Sequence, residues 1–183
     1  DEITSVENGI ANTEYREVSS LRSRLKQVVW EFDKYRHGAN PSGHSVTRRL
    51  EFWKAAWRII EKQPLTGVGT GDMKPAYEAA YNAMNSQLDE AHRLRAHNQY
   101  ISIFVAFGVF GLLYFLFAVF YPFVVYRKNF LFSVFMAILT MSMLTEDTLE
   151  TQPGATFAAL FFCLFLFVIS ENAEGTSQPP LQA

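Results

Sequence analysis

Two residues stand out for chemistry on an anionic substrate, Arg49 and His97. Arg49 precedes Trp53 by four positions, so on a helix both share one face and the guanidinium can stack on the indole or be steered by it. Its planar fork suits a bidentate grip on phosphate oxygens. His97 and Asn98 stand where a polar stretch gives way to a long uncharged one, which places them at the start of a helix. The free N–H groups of such an end attract anions, phosphates above all. A neutral imidazole there can accept a proton. Arg95, two residues earlier, is a second candidate clamp. The plainer alternatives are a solvated Arg49 in a first helical turn, His97 capping its helix among lipid headgroups, and Arg95 binding lipid phosphate at the interface.

Other motifs carry less. The run Pro64-Leu65-Thr66-Gly67-Val68-Gly69-Thr70-Gly71 can turn tightly or wrap a phosphate with backbone N–H groups. It lacks the Gly-Lys-Ser/Thr end of a Walker loop and follows no strand, so a structural turn is the simpler reading. Asp89-Glu90-Ala91-His92 spells a helicase box with no Walker loop beside it, a chance match. His92 and His97 are five apart, which is not a metal-binding spacing on a helix, and no metal is expected. Gly108 and Gly111, one turn apart, suit close helix packing. Glu146, Asp147 and Glu150 can bind a sugar or orient an arginine, although a solvated loop is the plainer reading. The single cysteine, Cys163, supports neither a disulfide framework nor a cysteine metal site.

The elements that must position these residues follow from how charge is distributed. Residues 1–98 hold 27 of the 34 charged side chains and two of the 17 phenylalanines, whereas residues 99–170 hold 15 phenylalanines and five charges. A polar half is therefore joined to a membrane half. Residues 99–126 carry no charge and as one helix would extend about 42 Å, longer than a hydrocarbon core of about 30 Å, so a tilt or an interfacial start is expected. Residues 129–145 form a shorter uncharged stretch that can span or re-enter, and residues 151–170 form a third. Arg127 and Lys128 lie on the short turn between the first two, which assigns that turn to the cytoplasm. The loop of Glu146 to Glu150, and residues 1–98, are then outside, in the periplasm of a Gram-negative cell. The tail 171–183, with Pro179-Pro180, is expected to be cytoplasmic and disordered.

Within the polar half, helices are expected over Glu14 to Tyr35, over Thr47 to Lys62 with Ser45 or Thr47 as cap, and over Asp72 to Leu88. The middle one has Leu50, Trp53, Trp57 and Ile60 as its apolar stripe, stopped by Gln63-Pro64. The fold class is thus an all-α membrane protein: a helical periplasmic loop followed by three transmembrane helices. A chain that starts at Asp1 without a basic-then-apolar leader reads as the C-terminal part of a longer membrane protein. A net charge of −2 with mixed signs argues against a nucleic-acid partner.

Taken together, Arg49-x-x-x-Trp53, the Pro64 to Gly71 run, and His97-Asn98 followed after nine residues by Gly108-x-x-Gly111 resemble the O-antigen ligase and polymerase family of bacterial envelope proteins. The resemblance covers roughly Ser45 to Ile169. It implies a multi-pass inner-membrane glycosyltransferase, in which residues 1–98 are the large periplasmic loop and the last three spans follow. The implied reaction moves a glycan from an undecaprenyl diphosphate carrier to an acceptor hydroxyl on lipid A-core or a growing glycan, without nucleotide sugar, cofactor or metal. His97 would be the general base and Arg49 the leaving-group clamp, with Arg95, Asn98, Trp53, Gly67 and Gly69 binding substrate. Ligases, polymerases and protein O-oligosaccharyltransferases share these motifs. Outside that family, a non-catalytic envelope module anchored by its spans would tolerate loss of His97 and Arg49. A flippase or transporter subunit would carry ionisable residues inside the spans, and these stretches have none.

Overall fold

The computed structural model describes residues 21–38 and 40–175, all helix, turn or loop with no strand among them. The chain divides into two compact units, Asp1–Asn40 and Pro41–Ala183. In the first, helix α1 (Leu21–Arg36) carries Leu21, Leu25, Val28, Val29 and Phe32 on one exposed face. The helix start expected at Glu14 lies outside the described residues.

In the second unit, α2 (Ser45–Lys62) and α3 (Met73–Ala83) precede three strongly apolar helices, α4 (Gln99–Val125), α5 (Phe130–Ser142) and α6 (Gln152–Gly175). The N-cap of α2 is His44, whose side chain makes no capping bond; the hydroxyl of Thr47 donates back to the His44 carbonyl at 3.5 Å instead. Ser45 and Thr47 are thus inside the helix rather than capping it. Its buried face also differs from the expected stripe. Phe52, Ala55, Ala56, Ile59 and Ile60 pack against Met73, Tyr77, Ala80 and Tyr81 of α3, while Trp57 is 58% exposed. Two alanines in register let α2 and α3 approach closely, which the large indoles would prevent. α3 ends at Ala83, short of the expected Leu88, with Asn85 at a positive φ of 49° just beyond its end.

The first apolar stretch is a broken helix. Gly108 has φ 65° and ψ −164°, so α4 is two arms, 99–107 and 109–125. Fifteen residues along a continuous helix would separate Tyr100 from Phe115 by about 22 Å. Their ring centroids lie 5.9 Å apart, so the first arm folds back beside the second. The break frees backbone groups, and the glycine run takes them up: Val68 N–H donates to Val105 O (2.9 Å), Gly69 N–H to Ala106 O (2.8 Å), and Val109 N–H to Pro64 O (2.8 Å). A broken apolar helix is tolerated where a neighbour satisfies its backbone in this way. Contact is close enough that a Cβ on Gly67 would stand 2.5 Å from the Ala106 carbonyl, and one on Gly108 would run into the Leu65 carbonyl. Gly108 therefore makes a bend that receives a loop, instead of the helix-on-helix packing expected of Gly108 and Gly111.

The first arm belongs to the polar core, where Val105 and Ala106 are buried with Ala96 and Leu88. The second arm exposes Phe110, Leu113, Tyr114 and Phe117. Between α4 and α6, α5 buries Phe132, Phe135, Met136 and Leu139 in an aromatic core with Phe161, Phe162 and Phe165. Phe132 is fully buried there, its ring edge-on to those of Tyr126 and Phe165. By length and apolar composition two stretches could cross a membrane, Gln99–Val125 and Gln152–Ile169, but the break at Gly108 leaves residues 109–125, about 26 Å, as the continuous helix of the first. At 13 residues, α5 is shorter, about 20 Å, so the span expected over 129–145 is helical for only part of that length. α6 runs on to Gly175, so residues 171–175 of the expected disordered tail are helical, and the remainder lies outside the described residues.

Candidate functional site

The segment that delivers His97 is pinned from both sides. Tyr81, fully buried on α3, donates its hydroxyl to Leu94 O at 2.6 Å. Arg93 reaches back to Asn82 Oδ1 (2.8 Å) and Leu88 O (3.3 Å). Trp53 on α2 donates its indole N–H to the carbonyl of the buried Ala96 at 3.0 Å. Asn98 then caps α4, its Oδ1 accepting from Ile101 N–H at 3.0 Å, and its amide donates to Leu144 O at 2.8 Å. Between these fixed points His97 takes φ 46°, the left-handed region that costs a non-glycine residue on the order of 1 kcal/mol. Such strain persists only where the surroundings over-determine it. Its effect here is to turn the imidazole out of the core, beside the Phe52 ring (centroids 5.7 Å apart).

The loop after α5 closes over the same end of the bundle. Gln99 N–H donates to Met143 O at 2.9 Å, and the Gln99 side chain accepts from Leu149 N–H at 2.8 Å. Ser102 donates to Asp147 Oδ1 at 2.6 Å, and Arg95 pairs with Glu150. This brings Glu146 between the two chemical candidates. Its Oε1 accepts from Arg49 Nη2 at 3.3 Å, and its Oε2 lies 3.4 Å from His97 Nδ1. Arg49 and His97 are each somewhat more than one-third exposed, and Glu146 is 60% exposed, so the cluster opens to solvent.

Beneath the cluster lie two buried tyrosines of α3. Burial raises the phenol of Tyr77 well above its ordinary value, reinforced by the nearby charge of Asp147. The Tyr81 phenol is raised as well, first by burial and then by Tyr77. Both tyrosines therefore stay neutral, Tyr81 as a donor to Leu94 O and Tyr77 as packing in the core.

Of the residues picked out from sequence, His97 and Arg49 meet through Glu146. The others play positions of their own. Trp53 does not stack against Arg49 as its role; its indole fixes the Ala96 carbonyl one residue before His97. Both ends of the Asn98 amide are occupied, by the helix cap and by Leu144, rather than turned toward a ligand. Arg95 is engaged with Glu150, at the edge of a cavity of about 340 Å³ also lined by Thr70, Met73, Ser102 and Phe107. Gly67 N–H closes a turn onto Gln63 O and Gly69 N–H docks the loop on Ala106 O of α4, so neither amide is free to cradle a phosphate. Glu146 is the addition. It stands 97 positions after Arg49; the sequence allowed Glu146, Asp147 or Glu150 to orient an arginine, and the fold selects Glu146 for Arg49.

A family model described as O-antigen ligase matches residues 10–116, more than half of the chain. The match takes in Arg49, the glycine run, His97 and the Gly108 break. No curated protein and no solved structure matches the chain.

Proposed function

The chain belongs to the O-antigen ligase family, and from that premise we propose that it comprises a catalytic periplasmic portion and membrane spans of a glycosyltransferase acting at the outer face of the bacterial inner membrane. Members of this family are membrane-embedded and act on glycans and lipid-linked substrates. The donor proposed is a glycan on undecaprenyl diphosphate. The acceptor is a hydroxyl of lipid A-core or of a growing glycan.

The observation that supports this reading is the placement of a base and an anion clamp, His97 and Arg49, on one solvent-open carboxylate, at the end of the bundle opposite Arg127 and Lys128. The transfer needs two kinds of help. The attacking hydroxyl must lose its proton, and the departing diphosphate must be neutralised. His97 accepts the proton as the acceptor oxygen bonds to the anomeric carbon. The bond from that carbon to the phosphate oxygen breaks, with its electron pair leaving on the diphosphate. Arg49 meets the charge that develops there, where a bidentate guanidinium is most effective. One direct displacement inverts the anomeric configuration. In this arrangement the 109–125 arm of α4, α5 and α6 are the membrane portion, and α2, α3 and the first arm of α4 form its periplasmic cap.

The test is transfer by the purified whole protein from a synthetic lipid diphosphate glycan of known configuration, with the product read by NMR. An inverted linkage is expected, together with loss of transfer in His97→Ala. A covalent glycosyl-enzyme trapped during turnover would contradict the single displacement.

A further inference from the structure

Glu146 touches both residues assigned to the chemistry, yet a carboxylate on the clamp occupies the place of the substrate's phosphate. Its two oxygens divide between Arg49 Nη2 (3.3 Å) and His97 Nδ1 (3.4 Å). Carboxylate and phosphate present similar oxygen pairs to a guanidinium fork, and as like charges they compete for it. The segment around Glu146 is held by Asn98 on the Leu144 carbonyl and by Ser102 on the Asp147 carboxylate, whereas the Glu146 side chain is 60% exposed. A fixed loop with a solvent-exposed side chain lets the carboxylate change partner without refolding.

We propose that Glu146 is a positioning residue that exchanges partners during the reaction: it holds Arg49 until the donor diphosphate takes its place, and then serves His97 alone. This rests on the reading of His97 as base and Arg49 as clamp. With Nδ1 turned to Glu146, Nε2 is the nitrogen left to face the acceptor hydroxyl, and a neutral imidazole protonated on Nδ1 has its lone pair on Nε2. As the hydroxyl proton moves to Nε2, the imidazolium that forms stands against the Glu146 carboxylate. Released from Arg49, that carboxylate has no other cation among the contacts just described. Its charge is then fully available to His97 when positive charge develops. Glu150 does not substitute for it, because Glu150 is paired with Arg95.

Binding and turnover separate the two roles. In the whole protein, Glu146→Gln removes the competitor for Arg49, so binding of undecaprenyl diphosphate without turnover should tighten about two- to fivefold, the scale of an exposed ion pair. The same variant should lower kcat by about tenfold or more, because His97 loses its carboxylate. Glu146→Asp, which keeps the charge, should recover part of kcat. Tighter binding together with slower turnover is not what a merely structural loss produces. Unchanged kcat, or weaker undecaprenyl diphosphate binding, in a protein where His97→Ala is inactive would overturn the exchange. Wild-type turnover in His97→Ala would instead overturn the assignment of the base.

Discussion

Replacing Gly108 by alanine should undo the junction on which the whole site stands. The residue has φ 65° and ψ −164°, a region open essentially to glycine alone, so an L side chain costs about 1–3 kcal/mol there before any contact is considered. Its Cβ would also run into the Leu65 carbonyl and stand 2.6 Å from Thr66 N, both backbone atoms that cannot swing aside. Relief requires the 64–69 loop to lift off α4. That breaks the bonds from Val68 to Val105, Gly69 to Ala106 and Val109 to Pro64, each worth about 1 kcal/mol net. The sum is about 4–6 kcal/mol, a large part of the 5–15 kcal/mol by which a domain is typically stable. Denaturant unfolding in detergent, with Gly71→Ala as control, measures it, since a Cβ on Gly71 meets nothing within 4 Å. The control should stay within about 0.5 kcal/mol of wild type. A Gly108→Ala protein equally close to wild type would refute the argument that the loop and the broken helix hold each other.

Trp53→Phe keeps the ring but leaves the buried Ala96 carbonyl without its donor, which should cost about 1–3 kcal/mol in chemical denaturation and reduce transfer by loosening His97; transfer at the wild-type rate would show that the indole is not a tether. Stability should also respond to alkaline pH. The Tyr77 and Tyr81 phenols are raised in the folded protein above their ordinary value of about 10, so the unfolded chain releases those protons first. Their contribution is complete below pH about 10 and declines as pH rises past it, by up to about 1.4 kcal/mol per pH unit for each. Unfolding midpoints measured between pH 8 and about 11 should show this slope, and Tyr81→Phe should reduce it.

Much of this was legible in the residues. The split between a charged half and a phenylalanine-rich half marks the apolar helices, and helical spacing with Gln63-Pro64 as a stop locates α2 to within two residues of its observed start. His97 and Arg49 stood out as candidates because their side chains suit the proposed chemistry and their positions fall at element ends, and the fold brings both onto Glu146. What local pattern could not give was the partner across the chain. Trp53 and Trp57 read as part of the apolar stripe of α2, but α2 packs on α3 through Ala55 and Ala56 because close approach to α3 excludes indoles. Gly108 read as a packing residue because a positive φ leaves no trace in hydropathy. The long uncharged stretch concealed a fold-back that depends on a loop some 40 residues earlier. Glu146 read as a solvated loop residue for the same reason: its meaning comes from Arg49 and His97, and neither is near it in sequence.

The central claim, that His97 and Arg49 carry out glycan transfer, is tested most directly in a strain lacking the whole protein, complemented at matched membrane levels with wild type, His97→Ala or Arg49→Ala, by gel analysis of surface glycans. Loss of the wild-type glycan pattern in both variants is predicted, with free lipid-linked polymer accumulating if ligation fails and single repeat units if polymerisation fails. Wild-type glycans in both variants would contradict the account and favour an envelope module that the apolar helices merely anchor.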